Sequence, residues 1–266
     1  MSGVAGCMAL TKRDLVRFVR QPSRVVAAIG TPILIWIFAG SGLSRSFAPP
    51  TPEGAAAAVE SSKAYAMYLV PGMATMVVLF ASTMAAITLI QDRTSGFMQA
   101  VVAGPAPKWA MALGKALPNA LLATVQGAVV LGLAWVLNPE HSLVGLPMGL
   151  AALALTSLGI TGVALALASR IDSVAGFHGV MNLVLLPMWL LSGALFPPQG
   201  AQTWLSWIVR LNPMTWATDL VGASVGARHV TEAWAWPGTV AFALLGVALA
   251  TAAVTRRIVK DGGARA

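Results

Sequence analysis

The chain has 266 residues, 57% of them hydrophobic and only 10% charged, with a mean hydropathy of +0.77. A soluble domain carries about a quarter charged residues, so this composition excludes one and predicts a polytopic membrane protein. The formal charge of +8 does not point to nucleic acid, because the basic residues are dispersed at the ends of apolar segments, and the single cysteine, Cys7, excludes an internal disulfide or a Cys-rich metal site.

Residues 1–24 come first. The stretch "ALTKRDLVRFVRQPSR" sets Arg13, Arg17, Arg20 and Arg24 along one helical side, with Leu15, Phe18 and Val19 on another. Such a helix is expected to lie on the cytoplasmic membrane surface with its arginines among anionic head groups. The first apolar segment, Val25 to Leu43, is longer than a signal-peptide core, and "GLSRSFAPP" offers no small-x-small cleavage pattern after it. It reads as a retained anchor. Pro49 to Ser62, "PPTPEGAAAAVESS", reads as a flexible external loop by composition.

Five more spans follow, Tyr65 to Ile90, Leu117 to Leu137, Leu143 to Ser169, Gly176 to Phe196 and Pro237 to Thr255. Each is long enough to cross about 30 Å of hydrocarbon as a helix. Pro32, Pro71 and Pro187 predict kinks within three of the six. An even number of crossings puts both termini on one side. That side holds thirteen basic residues: Lys12, Arg13, Arg17, Arg20, Arg24, Arg93, Lys108, Lys115, Arg170, Arg256, Arg257, Lys260 and Arg265. Arg45, Lys63, Arg210 and Arg228 are left on the other, so the positive-inside rule makes both termini cytoplasmic. The fold class is an all-α membrane protein, one domain over residues 25–255 with a basic tail, 256–266, and no soluble module.

The connection 197–236 carries five of the nine tryptophans, Trp204, Trp207, Trp216, Trp234 and Trp236. It is too apolar for a solvated loop and too broken for a span. Two short helices, about Gln202 to Leu211 and Pro213 to Val225, dipping into the outer leaflet would account for both properties; an interfacial aromatic belt is the plainer alternative.

Power sources and catalytic groups are harder to find. The nine carboxylates read as lying in loops or at helix ends, which leaves an ion relay no seat in the spans. His178 and Asn182 form the one close polar pair within a span and suggest interhelical hydrogen bonding. Gly114 and Lys115 resemble the end of a phosphate loop, but Trp109 stands where the first glycine belongs and Ala116 where Ser or Thr belongs. "GASVG", Gly222 to Gly226, matches a nucleophile elbow only by chance, with His229 and Glu232 crowded after it in the wrong order. It also fits G-x-x-x-G helix packing, as does "GLPMG", Gly145 to Gly149. Glu140 and His141 find no third metal ligand at helical spacing. A bundle without an energy source must borrow one from a partner.

The segment 91–115, "QDRTSGFMQAVVAGPAPKWAMALGK", is the conspicuous cytoplasmic protrusion. Gln91 to Gly104 is predicted as a short helix capped by Thr94 or Ser95, with Phe97, Met98, Val101 and Val102 on one side and "GPAP" ending it. An apolar stripe there needs a covering surface, from this protein, the lipid or a partner.

This segment resembles the signature between the second and third spans of ABC-2 type transporter permeases. "LSGALFPPQGAQTWLSWIVRLNPMTWATDLV", Leu191 to Val221, is similar to the family's second hallmark, an LSG and FP followed by a helix, N-P-x-T and an aspartate. The match extends over essentially the whole chain and is nearest to daunorubicin-resistance and nodulation-type exporters. The resemblance implies a pair of permeases, homo- or heterodimeric, above two ATP-binding cassette subunits that carry ATP and Mg, with no cofactor on this chain. It further implies cassette docking through Asp92, Arg93, Gly96, Phe97 and Met98, with a second contact through Arg13, Arg17 and Arg20. By the same carry-over Asn212, Pro213, Thr215 and Asp219, with Trp204 and Trp207, shape an outer gate. One departure stands out: family members commonly have an arginine about three residues after the aspartate, where this chain has Gly222, so that an ion pair there is lost or supplied by Arg210 or Arg228.

The expected function is therefore the permease subunit of an exporter in the plasma (bacterial inner) membrane, moving an amphiphilic drug-like or lipid-like substrate. A polysaccharide or glycolipid exporter is the alternative within transport, disfavoured because the chain has two tyrosines, Tyr65 and Tyr68. A lipid-modifying enzyme lacks clustered catalytic carboxylates or histidines, and a non-transporting regulator with the same fold is a further alternative.

Overall fold

A computed structural model of the chain describes residues 3–42, 55–97, 107–140, 142–195, 202–230 and 232–263. Among these residues the regular structure is all helix. In chain order the helices are α1 (Gly3–Val19), α2 (Pro22–Gly42), α3 (Ala55–Thr94), α4 (Lys108–Leu131), α5 (Leu133–Leu137), α6 (Leu146–Ala168), α7 (Val174–Val180), α8 (Leu186–Leu190), α9 (Thr203–Leu211), α10 (Pro213–Ser224) and α11 (Ala235–Gly263). A π turn, Met181–Leu185, joins α7 to α8.

Among the described residues four helical stretches are long and apolar enough to cross a membrane: Ser62–Thr94, Trp109–Leu137, Leu146–Ala168 and Ala235–Ala253. Shorter apolar helices, Ile29–Gly40 and Val174–Leu190, occupy the places of the expected first and fifth spans. Apolar side chains left exposed along one side of α4 (Leu117, Leu121, Val125, Val129) and of α11 (Val240, Leu244, Leu245, Leu249) would be costly against water and are at ease against hydrocarbon.

α3 is the axis of the bundle, packed by α2, α4, α6 and α10. Every residue from Leu69 to Leu79 is buried, which suits a helix apolar on all sides. The stretch expected to be a loop up to Ser62 is helical from Ala55, because a run of alanines has the highest helix propensity of any sequence and needs no apolar partner to extend a helix. α11 likewise runs on as far as Gly263, through most of the segment read as a tail.

Small residues set the helix crossings. A side chain on Gly162 of α6 would collide with the backbone of Gly246 on α11, and one on Gly246 would come within 2.6 Å of the Gly159 carbonyl. The two G-x-x-x-G segments meet each other: Gly145 and Gly149 of the α6 start both lie against Ser224 at the end of α10. Ser224 Oγ donates to the Val221 carbonyl at 2.6 Å, so it closes a helix turn. The π turn ends one residue before Leu186–Pro187, where the missing proline N–H breaks the α-helical ladder, and a wider turn absorbs the mismatch. His178 and Asn182, expected to hydrogen-bond between helices, are exposed on the surface of the chain.

Candidate functional site

Chemistry-bearing side chains gather at the C-terminal end of α3 and around its residues 65–75, with about 36 Å between Tyr68 and Asp92 at 1.5 Å per residue.

At the C-terminal end, Asp92 is 2% exposed and faces three cations. Arg13 donates to it from both terminal nitrogens, to Oδ2 at 3.2 Å and Oδ1 at 3.1 Å, and Arg17 donates to Oδ1 at 3.2 Å. Lys115 Nζ donates to Asp92 Oδ2 and, at 2.9 Å, to Asp14 Oδ2. Lys115 is 1% exposed, and no charge so placed persists without close partners of opposite sign. Arg13 also reaches Asp14 at 2.9 Å, and Arg17 reaches Gln91 Oε1 at 3.2 Å. The hydrogen bonds to Asp92 hold the Arg13 guanidinium above its ordinary pKa.

The local fold explains the convergence. α1 lies along α4, with Gly114 opposite Leu10 and Cys7 so that the two backbones approach closely. Asp14 and Lys115 then meet across that seam. Asp14 sits within α1 and Asp219 within α10, both buried, so two carboxylates expected at helix ends or in loops are interior. Lys115 is two turns inside α4, because that helix begins at Lys108, earlier than hydropathy alone suggested.

Arg93 points the other way. It donates to the carbonyls of Ala168 and Ile171, both at 3.1 Å, and to Asp172 Oδ1 at 2.7 Å, placing a cation on the free carbonyls at the end of α6. α3 then ends at Gly96, whose φ of 75° is the left-handed conformation that favours glycine. Thr94 Oγ1 and Ser95 Oγ donate back to the carbonyls of Gln91 and Asp92, finishing α3; neither begins the short helix expected after it. Phe97 lies under the Arg13 guanidinium, 3.8 Å from ring centroid to Cζ. Met98 lies outside the described residues. Arg20 is exposed at the end of α1 and takes no part in the cluster. Arg13 and Arg17, expected to point among head groups, instead turn inward to Asp92, since a buried carboxylate attracts a guanidinium more strongly than solvated phosphate does.

The second group lies around residues 65–75 of α3, beside two short helices that fall where the sequence placed them. Asn212 caps α10: its Oδ1 accepts from Met214 N at 2.9 Å and its Nδ2 donates to the Met188 carbonyl at 2.6 Å. Pro213 occupies the first turn, where its missing N–H costs nothing. Thr215 and Asp219 are buried, and Thr218 Oγ1 lies 3.2 Å from Thr75 Oγ1 of α3. Trp204 and Trp207 of α9 are 63% and 56% exposed, beside Ile208 and Leu211, and stay apart from the buried group. Tyr65 and Tyr68 donate to the Leu195 and Gly193 carbonyls at 3.0 and 2.7 Å, binding α3 to the turn that Gly193 makes with a φ of 71°.

Of the two arginines offered to Asp219, Arg210 pairs with Glu232 at 3.2 Å. Burial lowers the pKa of the Arg228 guanidinium, against the opposing pull of Tyr68 and Asp219. Asp14 is the functional candidate that sequence reasoning left without a role; Lys115 was read there only as a topology-setting charge, and Arg228 only as one of two partners offered to Asp219. A lysine inside a helix otherwise apolar on that side was the available signal for Lys115; nothing local marks Asp14.

The chain is similar over residues 5–225 to the family described as ABC-2 type transporter. It is also similar to the probable multidrug ABC transporter permease YbhR of Escherichia coli strain K12 and to the protein of the same name in Escherichia coli O157:H7. Each is 24% identical over 159 residues, 59% of this chain and 43% of the relative. The chain thus matches less than half the length of these curated relatives.

Proposed function

From a chain that belongs to the ABC-2 type transporter family and is a multi-pass integral membrane protein, we propose a permease subunit that exports an amphiphilic, drug-like or lipid-like substrate with energy from ATP hydrolysed on a separate cassette subunit. The proposal includes six crossings, with α2 and the α7 to α8 run as the first and fifth, cytoplasmic termini in the plasma membrane, and α9 and α10 as re-entrant outer helices. It also includes a second permease chain and two cassettes holding ATP and Mg.

The observation that carries this reading is the bracing of the segment after Gly96. Its root is tied to α1 and α4 through Asp92, and to α6 through Arg93. Force applied at Phe97 therefore reaches four helices at once, as a cassette-driven lever requires. In this arrangement Phe97 and Met98 make the docking contact, with Arg20 of α1 as a second one, while Asp92, Arg93, Arg13 and Arg17 hold the lever's root and Gly96 lets the chain turn. The amphiphile reading is favoured over a glycan because both tyrosines are committed to the Gly193–Leu195 turn.

The test is purification of the chain from its native membrane in mild detergent. The wild type is expected to bring an ATP-binding cassette subunit at equal stoichiometry, and Phe97→Asp with Met98→Asp to lose it while the helical content and melting temperature stay. Association that survives the double change overturns the docking contact; no ATPase with the wild type overturns the permease reading.

A further inference from the structure

Beyond Ser224 the chain folds back on itself. Gly226 has a φ of 59°, and the amides of Ala227 and Arg228 both donate to the Gly222 carbonyl, at 2.9 and 3.3 Å. This return lays the Arg228 stem across Gly222: Cβ, Cγ and Cδ would each stand 2.8 Å from a side-chain carbon at that position. Only glycine at 222 leaves the stem its course.

Led by that course, the guanidinium crosses to α3. It lies over the Tyr68 ring at 3.9 Å, and Nη2 donates to the Tyr68 carbonyl at 3.1 Å and the Ala194 carbonyl at 3.3 Å. One cation thus joins three separate pieces of chain: the α10 to α11 connection, α3 at Tyr68, and the turn after α8. Its Nε is buried and has no hydrogen-bond partner. A buried donor left unmet raises the free energy of this arrangement relative to one that hydrates it. Below it, Thr75 and Thr218 bridge α3 and α10, and Thr215 Oγ1 is buried without a partner. Parting α3 from α10 at Arg228 would uncover these hydroxyls first.

We infer that Arg228 is a positioning residue that latches the connection after α10 onto α3 at Tyr68, with Gly222 as its bed, and that its release is a step in opening the exit. This rests on the export reading for its direction, but the latch itself is a property of closure.

The test uses the full chain in its native membrane, with Cys7→Ser and Thr75→Cys as reporter and a membrane-impermeant maleimide added from outside. Arg228→Gln is expected to raise the labelling rate roughly tenfold, the effect of losing hydrogen bonds from a charged donor. Arg228→Lys, which keeps a cation on a stem that follows the same course past Gly222, is expected to label at a rate between the wild type and Arg228→Gln; a merely structural defect would not be repaired by charge alone. Should Arg228→Gln fail to fold, Gly222→Ala disturbs the stem while keeping every polar group, and it too is expected to raise labelling. Labelling unchanged in either folded variant, or as fast in Arg228→Lys as in Arg228→Gln, overturns the latch. ATP turnover of the assembled complex separates the two readings. Faster labelling with no ATPase associated keeps the latch and removes the export reading, whereas unchanged labelling with intact substrate-stimulated turnover removes the latch alone.

Discussion

Lys115 is the residue on which the α1, α3 and α4 contact turns. With Asp14 and Asp92 as its partners and almost no water, removal of its charge leaves two carboxylates competing for Arg13 and Arg17. Breaking a buried ion pair from one side costs about 3–5 kcal/mol, so Lys115→Met is expected to lower the melting temperature in detergent markedly. Lys115→Met with Asp14→Asn removes one charge of each sign and is expected to recover part of that loss. No destabilisation in the single variant would mean that the cluster is hydrated and weak. At this scale the sequence was half legible. Arg13, Arg17, Asp92 and Arg93 stood out as charges in an apolar chain, yet their pairing did not, because Arg13 and Asp92 are 79 residues apart and no periodicity links them.

Helices were more legible, since hydropathy and propensity act locally. α9 and α10 follow from N-P at 212–213 and the clustered tryptophans, and α6 from an unbroken apolar run. What hydropathy overlooks is where a helix extends through polar or alanine-rich residues, as α3 and α4 do. Packing is set by glycines that only a neighbouring helix gives meaning. Gly162→Leu is expected to force α6 and α11 apart and to cost ~3 kcal/mol or more, since the obstruction is backbone and cannot yield as a side chain does; thermal melting measures it. Gly179→Ala, with nothing within 4 Å, is the matched control and is expected to change stability by less than about 0.5 kcal/mol. On α9, Trp204→Ala with Trp207→Ala is expected to alter substrate-stimulated ATP turnover while leaving assembly intact. No change in turnover would assign these exposed rings to membrane anchoring alone.

For the molecule as a whole, the proposed orientation rests on the distribution of basic residues and is directly measurable. In a Cys7→Ser background, cysteine at the exposed position of Lys63 is expected to react with an impermeant maleimide from outside, and cysteine at the exposed position of Arg170 only after permeabilisation. Labelling of both from one side would overturn the six-crossing arrangement. Membrane residence and helical class could be read from composition, because partition into hydrocarbon sums over residues whatever their neighbours. The bracing around Asp92 and the Arg228 contact could not. They depend on which helices lie side by side, and charges far apart along the chain pair only where close packing of small residues brings their helices together and excludes the water that would otherwise separate them.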